Sequence, residues 1–527
     1  MPSVVSSVKP ERGRSAAFLV ASGILVSRLS GLVRDFLIAR YLGGITDAAD
    51  AWRAAFRIPN FLQNLFGEGV LSASFIPVYA GLLAREAEEE AGRVAGAVLA
   101  LLGLAISVLV LLGIAVTPLL VDVITYGFHG AKRRLTITLV RILFPGAGLL
   151  VMSAWCLGIL NSHRRFFLSY SVTVLWNLSI IGALLWFGRL KTGEDQMAIV
   201  AAWASVAGSG LQVLAQLPLV LRLVPALRIG LWTQLQSVRT VVRNFGPVFV
   251  SRGVIQISSM IDSIIASPIK GGVSMFSSVI NISNLPSSLF GMSVSASELP
   301  EMSSAIGSGS EVAAQLRRRL VNGLRRITFF VVPSVVAFVA LGDVIIGAAL
   351  QSGRFHATDT LWGWRILAGS GVGLLASTQG RLYSSTFYAL KDTRTPLRFA
   401  MIRIALTTVL GYVCARILPQ WLGIAELWGV AGLTASAGVS GWVEFALLRR
   451  SLANRIGMEP VGVKYLARLW ICAIVAAAVA WGIRLALPGI QEPRIRAVIV
   501  LIPFGLVYLL LADRSLITKT FSRLSKR

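Results

Sequence analysis

Nine ionisable side chains fall between residues 28 and 68, in stretches otherwise apolar enough to cross a membrane: Arg28, Arg34, Asp35, Arg40, Asp47, Asp50, Arg53, Arg57 and Glu68. The stretches read SRLSGLVRDFLIARYLGG and ITDAADAWRAAFRIPNFLQNLFGEGVLSASFIPV. A charge at the centre of a bilayer costs about 2.5 kcal/mol or more, so such residues normally face a bundle interior or a wet cavity. Guanidinium groups suit phosphate and pyrophosphate, because their planar fork donates two parallel hydrogen bonds. At about 100° per residue, Arg28 and Arg34 diverge around a helix, yet their long arms can converge on one cavity wall. Alternatively, each arginine pairs with Asp35, Asp50 or Glu68 and only ties spans together. The density of charge favours a functional cavity for the group as a whole.

The second stretch opens on Thr46, Asp47 and Asp50, residues suited to a helix start and its dipole. Pro59 then predicts a kink, and Glu68 lies between Gly67 and Gly69, where backbones can approach closely. Further along, Arg252 and Asp262 fall in a seventh apolar span, with Asn281, Asn284, Glu298 and Glu301 in or beside an eighth. Arg365, Arg381, Arg403 and Glu444 could join a cavity or snorkel to an interface. Cys156, Cys414 and Cys472 lie in apolar runs without metal-like spacing, and the three histidines are scattered. Nothing resembles a nucleotide-binding loop, a metal motif or a catalytic triad, so the chain reads as a transporter without its own ATPase, not as an enzyme.

The elements that must hold these residues are helices. Of 527 residues, 55% are hydrophobic and 14% charged, which predicts an all-α polytopic membrane protein. Lys and Arg outnumber the acids 50 to 24, but they punctuate apolar segments instead of forming a patch interleaved with aromatics. That pattern fits topology signals and anionic-lipid contact, not nucleic acid. With about 20 residues needed per crossing, apolar runs place about fourteen spans, the first near 16–43 and the last near 496–512. The first is read as a retained helix, since no cleavage site follows it. Basic loops at 222–243, 317–326, 391–398 and 449–468 and the basic tail place both termini in the cytoplasm; Lys132-Arg133-Arg134 is the exception, on an external loop.

An internal repeat divides the chain. Leu65-Phe66-Gly67 followed by SASFIP at 72–77 recurs as Leu289-Phe290-Gly291 followed by SASELP at 295–300, and LNSHRR at 160–165 is echoed by LKDTRT at 390–395. Each copy holds six spans, so the halves share an orientation and a pseudo-two-fold along the membrane normal, with a site between them. The expected organisation is an N-terminal lobe over 1–222, a C-terminal lobe over 223–455, and two further helices with a basic tail over 456–527.

SRLSGLVRD, the run from Asp50 through IPNFLQNLFGEG, SASFIP, LNSHRRF and FYALKDTRTP together resemble the MurJ (MviN) family of lipid II flippases, in the multidrug/oligosaccharidyl-lipid/polysaccharide exporter superfamily. The resemblance covers nearly the whole chain and is most specific in its first 80 residues. It implies two six-helix lobes, and two last helices that form a groove for a lipid tail. It also implies alternating access in a bacterial cytoplasmic membrane, carrying a polyprenyl-pyrophosphate-linked peptidoglycan precursor outward. Membrane lipids and envelope-synthesis proteins are the implied partners. Arg28, Arg34 and Asp35 match the family's cationic motif, Asp50 the acid that opens the second helix, and Glu68 the acid of its glycine turn. Asp262 resembles an acid or amide that in some members belongs to a sodium site. No cofactor is implied beyond a coupling ion, sodium or proton, or the membrane potential. Two positions depart from the pattern: Gln63 and Asn281 stand where the family usually carries arginine. A charge-assisted contact is worth about 1.5–3 kcal/mol, a loss that Arg53, Arg57, Arg252 or Lys270 could compensate. Otherwise the chain is a flippase for another undecaprenyl-linked saccharide, or a lipid-binding scaffold that does not transport.

Overall fold

The structure is a computed structural model that describes residues 11–512, apart from 191 and short gaps within 164–170, 296–308, 391–393, 458–460 and 488–491. The described chain is helical throughout, its single β-bridge joining Ser352 and Phe355. Fourteen apolar segments follow one another. They are α1 (Glu11–Leu42), α2 (Asp47–Ala84), α3 (Glu88–Ala115), α4 (Gly130–Ser162), α5 (Thr173–Gly188), α6 (Glu194–Leu223) and α7 (Gln236–Ala266). Then come α8 (Gly272–Pro286), α9 (Gly309–Ala340), α10 (Ala357–Ala389), α11 (Arg394–Leu422), α12 (Trp428–Ile456), α13 (Val463–Ala486) and α14 (Pro493–Ala512). Among the described residues, nine of these are long and apolar enough to cross a membrane, and α5 is a shorter apolar helix. The expected count of about fourteen helices holds.

The chain divides into two compact units, the first ending at Met260 and the second beginning at Ile261, inside α7. In the first unit, α1, α2, α4, α5 and α6 share a core around Trp52, Leu139, Ile180 and Ala201. A second core, around Phe75, Val94, Trp155 and Val220, joins the end of α2 to α3 and α4. Trp155 buries its indole and donates Nε1–H to the Ala95 carbonyl at 3.1 Å. In lipid there is little hydrophobic drive between helices, so close packing and internal hydrogen bonds must hold them.

The irregularities fall where the repeat was read. α2 opens on Thr46, whose Oγ1 accepts the Ala49 N–H at 3.1 Å, with Asp47 and Asp50 in its first turn. Its helix stops at Gly67, where a Cβ would stand 2.2 Å from the Gln63 carbonyl oxygen. Only glycine fits there, and α2 resumes at Glu68 and again at Ile76. In the second unit, the matching Leu289-Phe290-Gly291 lies in a π-helical turn, Ser287–Met292, that extends α8. π-turns of this kind often mark functional sites.

Within the second unit, α10 and α12 pack through small residues. A Cβ on Gly373 would stand 2.3 Å from the Gly438 Cα, the close backbone contact that glycine pairs allow between membrane helices. The last two helices dock on α9 and on the short helix Gly342–Leu350 that follows it. Tyr508 of α14 donates to the Phe329 carbonyl at 2.6 Å, Trp481 of α13 donates to the Ala340 carbonyl at 2.8 Å, and Arg484 pairs with Asp343 at 2.8 Å.

Candidate functional site

α1 delivers Arg34 and Asp35 as neighbours, and the two pair with each other. Arg34 donates Nε–H and Nη2–H to Asp35 Oδ1 at 3.2 and 2.9 Å. Its third contact comes from α5, where Asn177 Oδ1 accepts from Nη1 at 3.0 Å, and its guanidinium lies 4.8 Å from the centre of the Trp176 ring. Asn177 is itself oriented, its amide donating to Ser30 Oγ on α1 at 2.8 Å. Trp176 is fixed by Nε1–H bonds of 3.1 Å to the carbonyl and hydroxyl of Ser205 on α6. From α2, Arg53 brings Nη1 to 3.8 Å from the same Asp35 oxygen. Two guanidiniums therefore share one carboxylate, leaving one net positive charge in a half-buried setting. Arg28 is exposed and Arg57 half-buried, each adding a cation to the unit that carries this group.

Asp50 is held elsewhere. It is fully buried, and its Oδ2 accepts from Lys132 Nζ at 2.5 Å. Lys132, on the first turn of α4, also lies 3.6 Å from Asp47 and 4.0 Å from the centre of the Phe128 ring. The basic cluster at 132–134 thus has acidic partners close by. Lys132 balances the buried Asp50 and the exposed Asp47 of α2, and Arg133 donates twice to Asp122 at 2.5 and 2.8 Å. Those bonds hold the Asp122 carboxyl below the usual carboxylate range.

The other sequence-derived positions are dispersed. The side chains of Glu68 and Arg252 lie outside the described residues. Asn281 is exposed on α8, and Asp262 is half-buried on α7 beside Ser263, whose buried hydroxyl oxygen has no hydrogen-bond partner. These are hard oxygen donors of the type an alkali or alkaline-earth cation takes. No group of three or more His, Cys, Asp or Glu side chains assembles among the described residues. Sequence reasoning missed Asn177, Trp176 and Lys132 as partners of the charged motif. Lys132 had a legible signal, a basic cluster on a loop expected to be external. The other two had none.

Charged side chains held inside apolar helices, in a helical membrane protein of two units, define a polytopic transporter. The family model described as lipid II flippase MurJ matches residues 38–490. The chain belongs to that family. It is 31% identical to the probable lipid II flippase MurJ of Bdellovibrio bacteriovorus, over 84% of this chain and 83% of the relative. Its identity to the lipid II flippase MurJ of Burkholderia cenocepacia is 29%, over 84% of each. Its fold is that of a solved lipid II flippase MurJ in an inward closed conformation, with a TM-score of 0.76, 22% identity, and cover of 96% of this chain and 99% of that one.

Proposed function

We propose that this protein moves lipid II, a polyprenyl-pyrophosphate-linked glycopeptide, from the inner to the outer leaflet of a bacterial cytoplasmic membrane. The observation that carries the reading is the Arg34–Asp35–Arg53 group, braced by Asn177 and Trp176, in a member of this family. Arg34 and Arg53 offer donors to the pyrophosphate, and Asp35 keeps them from binding it so tightly that release fails. Arg28 and Arg57 add positive charge for capture. The headgroup crosses by alternating access while the lipid tail stays in the bilayer, so the protein forms no covalent intermediate and acts as a transporter and not as an enzyme. Both termini face the cytoplasm, in line with the basic loops and the even number of spans. Asp262 and Ser263 are the residues through which a sodium ion would couple to this cycle.

Leaflet exchange in vesicles of defined lipid, with purified lipid II, tests the reading. Arg34→Ala should lower exchange about tenfold or more, the worth of one charge-assisted contact, without loss of expression. Full complementation of a flippase-depleted strain by Arg34→Ala would remove that residue from the mechanism. A second reading, a different undecaprenyl-linked saccharide as cargo, is favoured by Gln63 and Asn281 standing where arginines are expected. Exchange of such a saccharide, without exchange of lipid II, decides for it.

A further inference from the structure

The second unit carries a separate set of charges inside its helices. Arg403 of α11 places Nη1 3.0 Å from Glu444 Oε2 of α12. Arg381 of α10 lies within Coulombic reach of Arg403 and forms no ion pair of its own among the described residues. Arg381 therefore adds a second guanidinium beside the Arg403–Glu444 pair, leaving one net positive charge in this group.

Their depth is common. At 1.5 Å per residue, Arg381 stands about 12 Å before the end of α10, Arg403 about 14 Å after the start of α11, and Glu444 about 18 Å before the end of α12. These helices run in alternating directions, so all three distances are counted from the same face of the unit. The carboxylate is mostly covered, at 13% exposure, whereas Arg403 is 45% exposed and Arg381 is exposed too. A pair whose cation is this exposed contributes little to holding helices together. Here the acid is tucked in and the cations are presented. Phe445, next to Glu444 in the chain, meets Tyr383 and Trp442 edge to face, each at 5.4 Å.

We propose that Arg381 and Arg403 form an anion-receiving site in the second unit, taking a phosphate or a carboxylate of a lipid-linked substrate. The inference rests on the reading of the cargo as an anionic lipid-linked headgroup, and names a contact surface apart from the Arg34 group. Among the described residues Arg403 uses one nitrogen on Glu444, and Arg381 makes no hydrogen bond or ion pair. A planar fork with free nitrogens accepts either oxyanion bidentately. Glu444 orients Arg403 and competes with the bound anion, which favours release.

Titration of the full-length protein in nanodiscs tests this, with lipid II and with the same lipid lacking its stem peptide. Arg381→Gln/Arg403→Gln should weaken lipid II binding about tenfold, as expected for losing charge-assisted contacts, while Glu444→Gln tightens it. Equal weakening for both lipids identifies a phosphate as the bound group, and weakening confined to the peptide-bearing lipid identifies a carboxylate. Unchanged binding in the double variant overturns the proposal. So does a Glu444→Gln variant that weakens binding as much as the double variant, since the pair would then be structural. Arg381→Gln alone, which removes no ion pair, guards against misfolding and should weaken binding measurably. If the wild type does not bind lipid II, the cargo reading fails and the site is still decided. Inorganic pyrophosphate or acetate should protect Arg381 and Arg403 from phenylglyoxal modification, and absence of protection by either anion sinks it.

Discussion

At the scale of single residues, the buried Asp50–Lys132 pair is the most exposed to mutation. Each ion is tolerated inside the helix bundle only because the other is there. Removing one member of a buried pair costs about 3–5 kcal/mol, whereas replacing both by neutral groups of similar shape is often close to neutral. Lys132→Met should therefore lower the unfolding temperature in detergent strongly, and Asp50→Asn/Lys132→Met should recover most of the loss. Equal destabilisation by the double variant would show that the pair is not the source. The contrast between Asp35 and Asp50 is also informative about what a sequence can disclose. Arg34 and Asp35 are adjacent, so their pairing is legible from a line of letters. Asn177 lies 143 residues from Arg34, and Lys132 lies 82 residues from Asp50. Those partners are chosen by tertiary packing, which periodicity does not encode. Arg53 was read as a possible compensating cation, and its place beside Asp35 keeps it within the charged group.

Helices and their ends come next. The existence of about fourteen spans was legible because a bilayer demands long apolar runs, and the interruptions at Gly67 and in the π-turn Ser287–Met292 were foreshadowed by the repeated Leu-Phe-Gly. What the echo LKDTRT does was not. Asp392 accepts the amides of Arg394 and Thr395 at 3.0 Å each and the Thr395 hydroxyl at 2.7 Å, and pairs with Arg455 of α12 at 2.7 Å. This carboxylate caps the first turn of α11, and those bonds pull its pKa down from 3.8 to about 2. A depressed carboxylate contributes its full stabilisation above the unfolded value and loses it as pH falls toward the folded one. Protection of the Arg394 and Thr395 amides against hydrogen exchange, relative to the unstructured rate at each pH, should thus hold down to about pH 4 and fall between there and pH 2. An Asp392→Asn variant should show fast exchange already at neutral pH. The contact between α10 and α12 sets a steric limit instead. Gly373→Val would drive a side chain into the Gly438 backbone, and overpacking of this kind costs about 1–3 kcal/mol or more. A lowered unfolding temperature, with no such loss for valine at Gly441, where a Cβ would meet nothing within 4 Å, would confirm the close approach.

For the molecule as a whole, the open question of cargo turns on charge. Gln63 and Asn281 stand where the resemblance to the family leads one to expect cations, and the charge groups described are Arg34 and Arg53 on Asp35 in the first unit and the Arg403–Glu444 pair, with Arg381 near it, in the second. Gln63→Arg/Asn281→Arg should tighten lipid II binding about tenfold if lipid II is the natural cargo and the native site is a weakened version of the family's. A gain for lipid II accompanied by loss of exchange for another polyprenyl-linked sugar would instead mark the two neutral residues as selectivity determinants. Either outcome is read in one vesicle assay.

The bracing inside the first unit has a mechanical consequence. Lys132 fastens α4 to α2, Arg53 reaches from α2 to Asp35 of α1, and Asn177 and Trp176 fasten α5 to α1. Ser205 carries the same chain of contacts on to α6. Sliding any of these helices past its neighbour would strand an ion or an amide with nothing to bond, a penalty far larger than thermal energy. Five helices wired in this way respond to a load as a single stiff lever. Flexure is then pushed to the places with no such wiring, such as the glycine break in α2. If Arg34 takes the headgroup's charge as proposed, a pull on it turns the whole lever, because none of the wired segments is free to yield alone.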